Sequence, residues 1–186
     1  MATLDAAGDA LVVRIVYDGP PIAGKTTSLL ALAERLGHGR LFTPEVSGGG
    51  RTLFFDWLEY VGGRYDGRAI HCEIVSVPGQ AEFAPRRRLL LSSADAVVFV
   101  GDTCASGIDE TTAHLADLRA HLATREGPPV GVVLQANKRD LPDAVPLERL
   151  RGHGLAVIES VASRGEGIRE AFVFGVRLAL DRVREL

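Results

Sequence analysis

Gly19-Pro20-Pro21-Ile22-Ala23-Gly24-Lys25-Thr26 leaves the β-branched run Ala10–Asp18 and opens the helix-patterned stretch Thr26–Leu36. A GxxxxGK[ST] loop between a strand and a helix admits few architectures, because it needs a sheet edge that holds a helix N-terminus facing an anion. Small residues let the backbone N–H groups turn inward as a cradle, and the helix end adds its partial positive charge. Gly19, Ile22, Ala23, Gly24, Lys25, Thr26 and Thr27 are the candidate phosphate-contacting residues. Lys25 reaches the β- and γ-phosphates, and the Thr26 hydroxyl ligates Mg²⁺. Pro20 and Pro21 remove two N–H donors from a loop that works through donors, leaving a stiff, donor-poor cradle.

The rest of the chain alternates apolar runs with helical patterns, which reads as α/β. Thr52–Tyr60 and Arg68–Val77 are predicted as an antiparallel strand pair joined through the turn-rich Val61–Gly67. A short basic helix comes next at Arg86–Ser93, then strands at Asp95–Gly101, Val130–Ala136 and Leu155–Ser160, with helices at Asp109–Thr124 and Glu166–Leu186. The fold expected is a three-layer α/β domain with a six-stranded, mostly parallel sheet, one antiparallel edge strand and helices on both faces. At 186 residues the chain is sized for a single domain spanning 1–186, with 1–9 as a flexible N-terminus. In such sheets ligands bind beyond the carboxyl ends of the strands.

Asn137-Lys138-Arg139-Asp140 comes directly after the apolar strand Val130–Ala136 and so lies on the same edge as the phosphate loop. Asp140 can accept from the ring N–H and exocyclic amine of guanine, Asn137 can bond its major-groove edge, and the Lys138 stem can cover the base face. Adenine offers neither donor to Asp140. Beyond the last strand, Val161 and Ala162 belong to a loop whose Ala162 N–H is placed to meet the base carbonyl, although any loop of small residues looks similar. Only Lys25 and Lys138 among the 21 basic residues are lysine, and both fall inside these two patterns.

A net charge of −3 shows no broad electrostatic footprint for nucleic acid. No apolar run approaches the roughly 18 residues of a membrane span, and neither a myristoylation glycine at position 2 nor a prenylation box is present, so no intrinsic membrane anchor is expected and the location predicted is cytoplasmic. Cys72 and Cys104 are too few for a disulfide framework and read as buried thiols, while the five scattered histidines have no ligand spacing.

Over nearly its whole length the chain resembles a small Ras-like GTPase, and within that superfamily the bacterial polarity and gliding-motility GTPases of the MglA type. The resemblance rests on GPPIAGKTT, on Arg51-Thr52-Leu53-Phe54-Phe55-Asp56-Trp57-Leu58, on Val77-Pro78-Gly79-Gln80, and on Asn137-Lys138-Arg139-Asp140-Leu141-Pro142-Asp143-Ala144. It implies the small G-protein fold, binding of GTP and GDP with Mg²⁺, and slow GTP hydrolysis. It further implies Thr52 as the first-switch threonine on Mg²⁺ and the γ-phosphate, Gly79 as a nucleotide contact, Gln80 as the residue positioning the attacking water, and Arg51 as an arginine finger in cis. Gln80, Arg51 and Lys25 are thus the implied catalytic residues. Ser76 holds the place of the aspartate that begins the second switch in Ras-like enzymes, and Pro21 stands where glycine is usual. A Roadblock/LC7-type activating dimer and downstream effector proteins are the implied partners, gated by His38–Arg51, with the Gly48-Gly49-Gly50 hinge, and by Pro78–Arg88. Arg86-Arg87-Arg88 reads either as a solvated face or as a partner contact. Two rival readings stay open: a non-hydrolysing GTP-binding interaction module, favoured by Pro21 and Ser76, and a P-loop phosphotransferase, disfavoured by the guanine reader.

Overall fold

The apolar run Ala10–Asp18 becomes the central strand around which the computed structural model is organised, and the residues described are 2–5, 8–37, 40–42, 56–77, 79, 83–151 and 153–184. In chain order the elements are β1 (Thr3–Leu4), β2 (Ala10–Asp18), α1 (Lys25–Leu36), β3 (Arg40–Phe42), β4 (Trp57–Tyr65), β5 (Arg68–Ser76), α2 (Ala84–Ser92), β6 (Ala96–Asp102), α3 (Ile108–Ala123), β7 (Gly131–Asn137), α4 (Glu148–Arg151), β8 (Ala156–Glu159) and α5 (Ile168–Arg184). The strands run β3-β4-β5-β2-β6-β7-β8 across one sheet, with β1 attached to β2. The five strands from β5 to β8 are mutually parallel, whereas β4 is antiparallel to β5 and β3 to β4. The mostly parallel α/β layout is the one expected from the alternation of patterns.

Two short strands enlarge the six-stranded expectation. Strand β5 occupies one edge of β2 along Ala10–Tyr17, and β6 joins the other edge only from Ile15 onward. The open half of that second edge is filled by β1, through Thr3↔Val12 and Leu4↔Leu11. The Asp5 carboxylate then accepts from the Asp9 and Ala10 N–H groups at 2.8 and 3.1 Å. This part of residues 1–9, expected to be flexible, is therefore tied to the sheet.

The β4–β5 hairpin also departs from its expected boundaries. The turn falls within the expected Val61–Gly67 but only at its end, because β4 continues past Tyr60 to Tyr65 across a register shift between Val61 and Arg64 that absorbs Gly62-Gly63 as a bulge. The turn itself is Asp66-Gly67, with φ of 49° and 78°, the paired positive φ values of a two-residue hairpin turn. Thr52–Phe55, the start of the predicted strand, lie outside the described residues.

Alternation along each strand then builds two cores. On β6, Val98 and Val100 join Leu29, Leu32, Phe172 and Ala179 from α1 and α5. Val97 and Phe99 face the opposite side with Leu91, Leu115 and Leu118 from α2 and α3. All four β6 side chains are fully buried, which is why this strand reads as a continuous apolar run. Helix α1 ends at Gly37, φ 67°, whose N–H reaches the Ala33 carbonyl. Both cysteines are free and buried. No helix among the described residues is long and apolar enough to cross a membrane.

Two glycine substitutions separate backbone strain from steric collision. At Gly67 a Cβ meets nothing within 4 Å, so Gly67→Ala is expected to cost about 1 kcal/mol from its positive φ alone. At Gly19, φ 141°, the Cβ falls 2.1 Å from the Val100 carbonyl oxygen, so Gly19→Ala is expected to cost more than about 3 kcal/mol. Urea denaturation of the two variants checks the order, and equal losses would refute this account.

Candidate functional site

The phosphate loop is shaped by close approaches that exclude side chains. Gly19 lies under Val100, and at Gly24, φ 103°, a Cβ would stand 2.3 Å from Asn137 Nδ2. Ile22 takes φ 53° at the crown of the loop and is 87% exposed. Lys25 folds back over the loop and donates to the carbonyls of Gly19 and Pro20 at 2.8 and 2.7 Å. Pro20, which has no N–H to give, thus serves through its carbonyl. Burial lowers the Lys25 pKa to about 8, against the opposing charge of Asp18.

Asn137, at the end of β7, is 3% exposed and laces three loops together. Its Nδ2 donates to the Ala23 carbonyl at 2.8 Å, while Oδ1 accepts from Ala162 N–H at 2.9 Å and from Ser160 Oγ at 3.1 Å. The expected roles of Asn137 and Ala162 on the base thus sit beside a bond that these two residues make with each other. Deeper along β7, Gln135 Nε2 donates to Ser28 Oγ, which donates to the Gly24 carbonyl. Val161 pairs with Glu166 through two backbone bonds, closing a loop around the 3-10 turn Ala162–Arg164.

Lys138 has φ 65° and its ammonium lies 2.6 Å from Asp102 Oδ2 at the end of β6. Burial would raise the Asp102 pKa, but hydrogen bonds from Lys138 and from the Cys104 N–H and thiol leave it lowered. Asp140 stands 3.5 Å from the Arg164 guanidinium. Asp140, Lys138, Asn137, Thr27, Gly24 and Ile22 all border one cavity of about 240 Å³ that joins the phosphate loop to the loops after β7 and β8.

A carboxylate that the sequence motifs do not single out enters from the residue just before β4. Thr26 Oγ1 donates to Asp56 Oδ2 at 2.7 Å, and Ser76 N–H donates to the Asp56 carbonyl at 2.9 Å. The Trp57↔Val75 register sets Asp56, the residue just before β4, opposite Ser76, so an acidic group stands beside the residue that lacks one. Its only mark in the sequence is a lone acid in the aromatic run Phe54-Phe55-Asp56-Trp57. A hydroxyl and a carboxylate of hard oxygen suit Mg²⁺, which takes few protein ligands and completes its shell with phosphates and water.

Gly79 packs directly on the loop: a Cβ there would fall 2.5 Å from Pro21 N and 2.8 Å from the Gly19 carbonyl oxygen. Arg51, Thr52 and Gln80 lie outside the described residues, as do Gly48-Gly49-Gly50. The Arg86-Arg87-Arg88 run is not a uniform solvated or docking face. Arg87 is buried, with Nε and Nη2 forked onto the Asp18 carboxylate at 2.8 and 2.7 Å.

No protein-family model matches the chain. The mutual gliding-motility protein MglA of Myxococcus xanthus (strain DK1622) is 30% identical to it across an alignment 194 positions long, covering 100% of this chain and 99% of that protein.

Asn137→Ala strands the Ala23 carbonyl and the Ala162 N–H in a buried setting. It is expected to lower the stability of the nucleotide-free protein by about 2 kcal/mol or more. Chemical denaturation without nucleotide checks this, because a residue serving the ligand alone would leave that stability unchanged.

Proposed function

This chain belongs to the Ras-like small GTPases, in the MglA-type branch, and from that membership we propose that it is a switch that binds GTP with Mg²⁺, hydrolyses it to GDP, and controls cell motility or polarity through nucleotide-gated partners. The observation that carries this reading is the single cavity shared by the phosphate loop and by Asn137, Lys138 and Asp140. A phosphate cradle alone fits many substrates. With a carboxylate at the far wall and an ammonium stem beside it, the cavity suits guanine.

In this reading Lys25 holds the β- and γ-phosphates, and Asp140 accepts from the two donors of guanine. Lys138, held by Asp102, covers the base. Thr26, Thr52 and Asp56 are the residues that would hold Mg²⁺, with Asp56 providing the charge that Ser76 lacks. When bound, the ion neutralises charge on the phosphate oxygens. Gln80 orients the attacking water, whose oxygen bonds to the γ-phosphorus as the bond to the β–γ bridging oxygen breaks, leaving GDP and inorganic phosphate. Arg51 stabilises the charge developing on the transferring group. Intrinsic turnover is slow if the competent arrangement is sparsely populated, and a Roadblock/LC7-type dimer accelerates the reaction by selecting it. Effectors then read the segments His38–Arg51 and Pro78–Arg88 in a cytoplasmic setting. Asp56 weighs against the non-hydrolysing alternative, since it removes the main electrostatic objection raised by Ser76.

Asp140→Asn is expected to weaken GTP binding by more than the roughly 1–3 kcal/mol of an ordinary unsatisfied group and to raise the relative affinity for xanthosine triphosphate. Equal losses for both bases in a titration would overturn the base-reading role.

Gln80→Ala and Arg51→Ala are each expected to leave GTP bound while slowing single-turnover hydrolysis by roughly 100-fold. Unchanged rates, alone and with a Roadblock-type dimer added, would remove these assignments. A dimer that binds the GDP form and a GTP-analogue form equally well would remove the switch.

A further inference from the structure

Asp18 is the residue immediately before the phosphate loop, and its side chain is 0% exposed. A buried carboxylate at the root of an anion site opposes the ligand that the site attracts, unless a cation neutralises it. Arg87 of α2 does so with a bidentate fork, and its remaining terminal nitrogen pairs with Asp117 of α3. Burial alone would lower the Arg87 pKa, yet these two carboxylates leave it raised, so the guanidinium stays charged.

The positions of these contacts matter more than their number. On the near side of the second switch, Val77 N–H donates to the Tyr17 carbonyl at 3.0 Å. Gly79 then rests against Gly19, Pro20 and Pro21. On the far side, Arg87 is forked onto Asp18. Three consecutive residues, Tyr17, Asp18 and Gly19, therefore clamp both ends of the segment that contains Gln80. A buried ion pair confers little net stability over apolar residues of the same volume, so packing alone gives no reason for charges here.

We propose that Arg87 is a positioning residue that couples the second-switch helix to the phosphate loop through Asp18. Asp117 steadies the outer face of the same guanidinium. The tie converts a displacement of the phosphate loop into a displacement of α2, so that hydrolysis depends on the loop and the second-switch helix moving together. This inference rests on the GTPase reading above.

The test measures affinity for GDP and for a non-hydrolysable GTP analogue, single-turnover GTP hydrolysis, and melting temperature, for the wild type and four variants. Arg87→Gln, which leaves Asp18 charged and unpaired beneath the phosphates, is expected to lose about tenfold or more in affinity, with the greater loss for the triphosphate. The double variant Asp18→Asn/Arg87→Gln removes that charge and is expected to recover most of the affinity while hydrolysing bound GTP roughly fivefold more slowly than wild type. Arg87→Lys keeps the neutralising charge without the fork and is expected to show the same separation of retained binding from slowed hydrolysis. Asp117→Asn, at a carboxylate 61% exposed, leaves the buried pair intact and is expected to slow hydrolysis by a smaller factor. Wild-type hydrolysis rates in Arg87→Lys and in the double variant would overturn the proposal, even if both melt at lower temperature. If Arg87→Gln does not fold, Arg87→Lys and Asp117→Asn decide the matter. A wild type that binds no guanine nucleotide, or binds without cleaving it, would instead overturn the GTPase reading.

Discussion

The Asn137 amide donates to the Ala23 carbonyl and accepts from Ala162 N–H and Ser160 Oγ, so the loops leaving β2, β7 and β8 share one planar buried group. The phosphate loop and the last of these loops are more than a hundred residues apart along the chain, and a single side chain bonds both. Because the amide is buried and fixed by three partners, the phosphate loop and the loops after β7 and β8 are held together by bonds within the protein itself. Preorganisation of this kind lowers the ordering cost of binding. Gly24 has no side chain for the same reason: a Cβ there would occupy the place of the Asn137 amide.

Around that frame three carboxylates each meet a donor from another element, and two of those donors are cationic. Asp18 faces Arg87, Asp102 faces Lys138, and Asp56 accepts from Thr26. Each carboxylate lies close to where phosphates or a base are expected to bind, and each is held by a donor from a different element. The phosphate end thereby keeps its cationic character from Lys25 and the α1 N-terminus while using carboxylates as struts. Lys25 shows the tension directly: burial drives its pKa down and the Asp18 charge drives it up.

The parts of this site that are legible in the sequence are contiguous. The phosphate loop and Asn137-Lys138-Arg139-Asp140 each occupy one stretch of chain at the end of a strand, and local chemistry identifies both. Asp56 escapes such a reading because its meaning depends on the antiparallel register, which sets it opposite Ser76 and beside Thr26, 30 residues away in sequence. Arg87 escapes it because three successive arginines look alike in sequence, and only the packing of α2 decides which one points inward. The β4 boundaries differ from expectation because a bulge absorbs Gly62-Gly63, whereas a glycine pair in an apolar run reads more readily as a turn. Strand β1 leaves no signal because two residues carry no periodicity.

The amino-acid order by itself determined the alternation of strands and helices, the cradle and its lysine, and the stretch Asn137-Lys138-Arg139-Asp140 at a strand end. Each of these arises from backbone freedom at glycine, from side-chain periodicity, or from a functional group beside a strand end. Tertiary structure alone decided that Asp56 meets Thr26, that Asp18 is neutralised by Arg87, and that Asn137 binds the loops together instead of waiting free for a base. These outcomes depend on register and helix orientation, which arise from burying two cores on opposite faces of one twisted sheet, and such long-range packing leaves no local mark in the sequence.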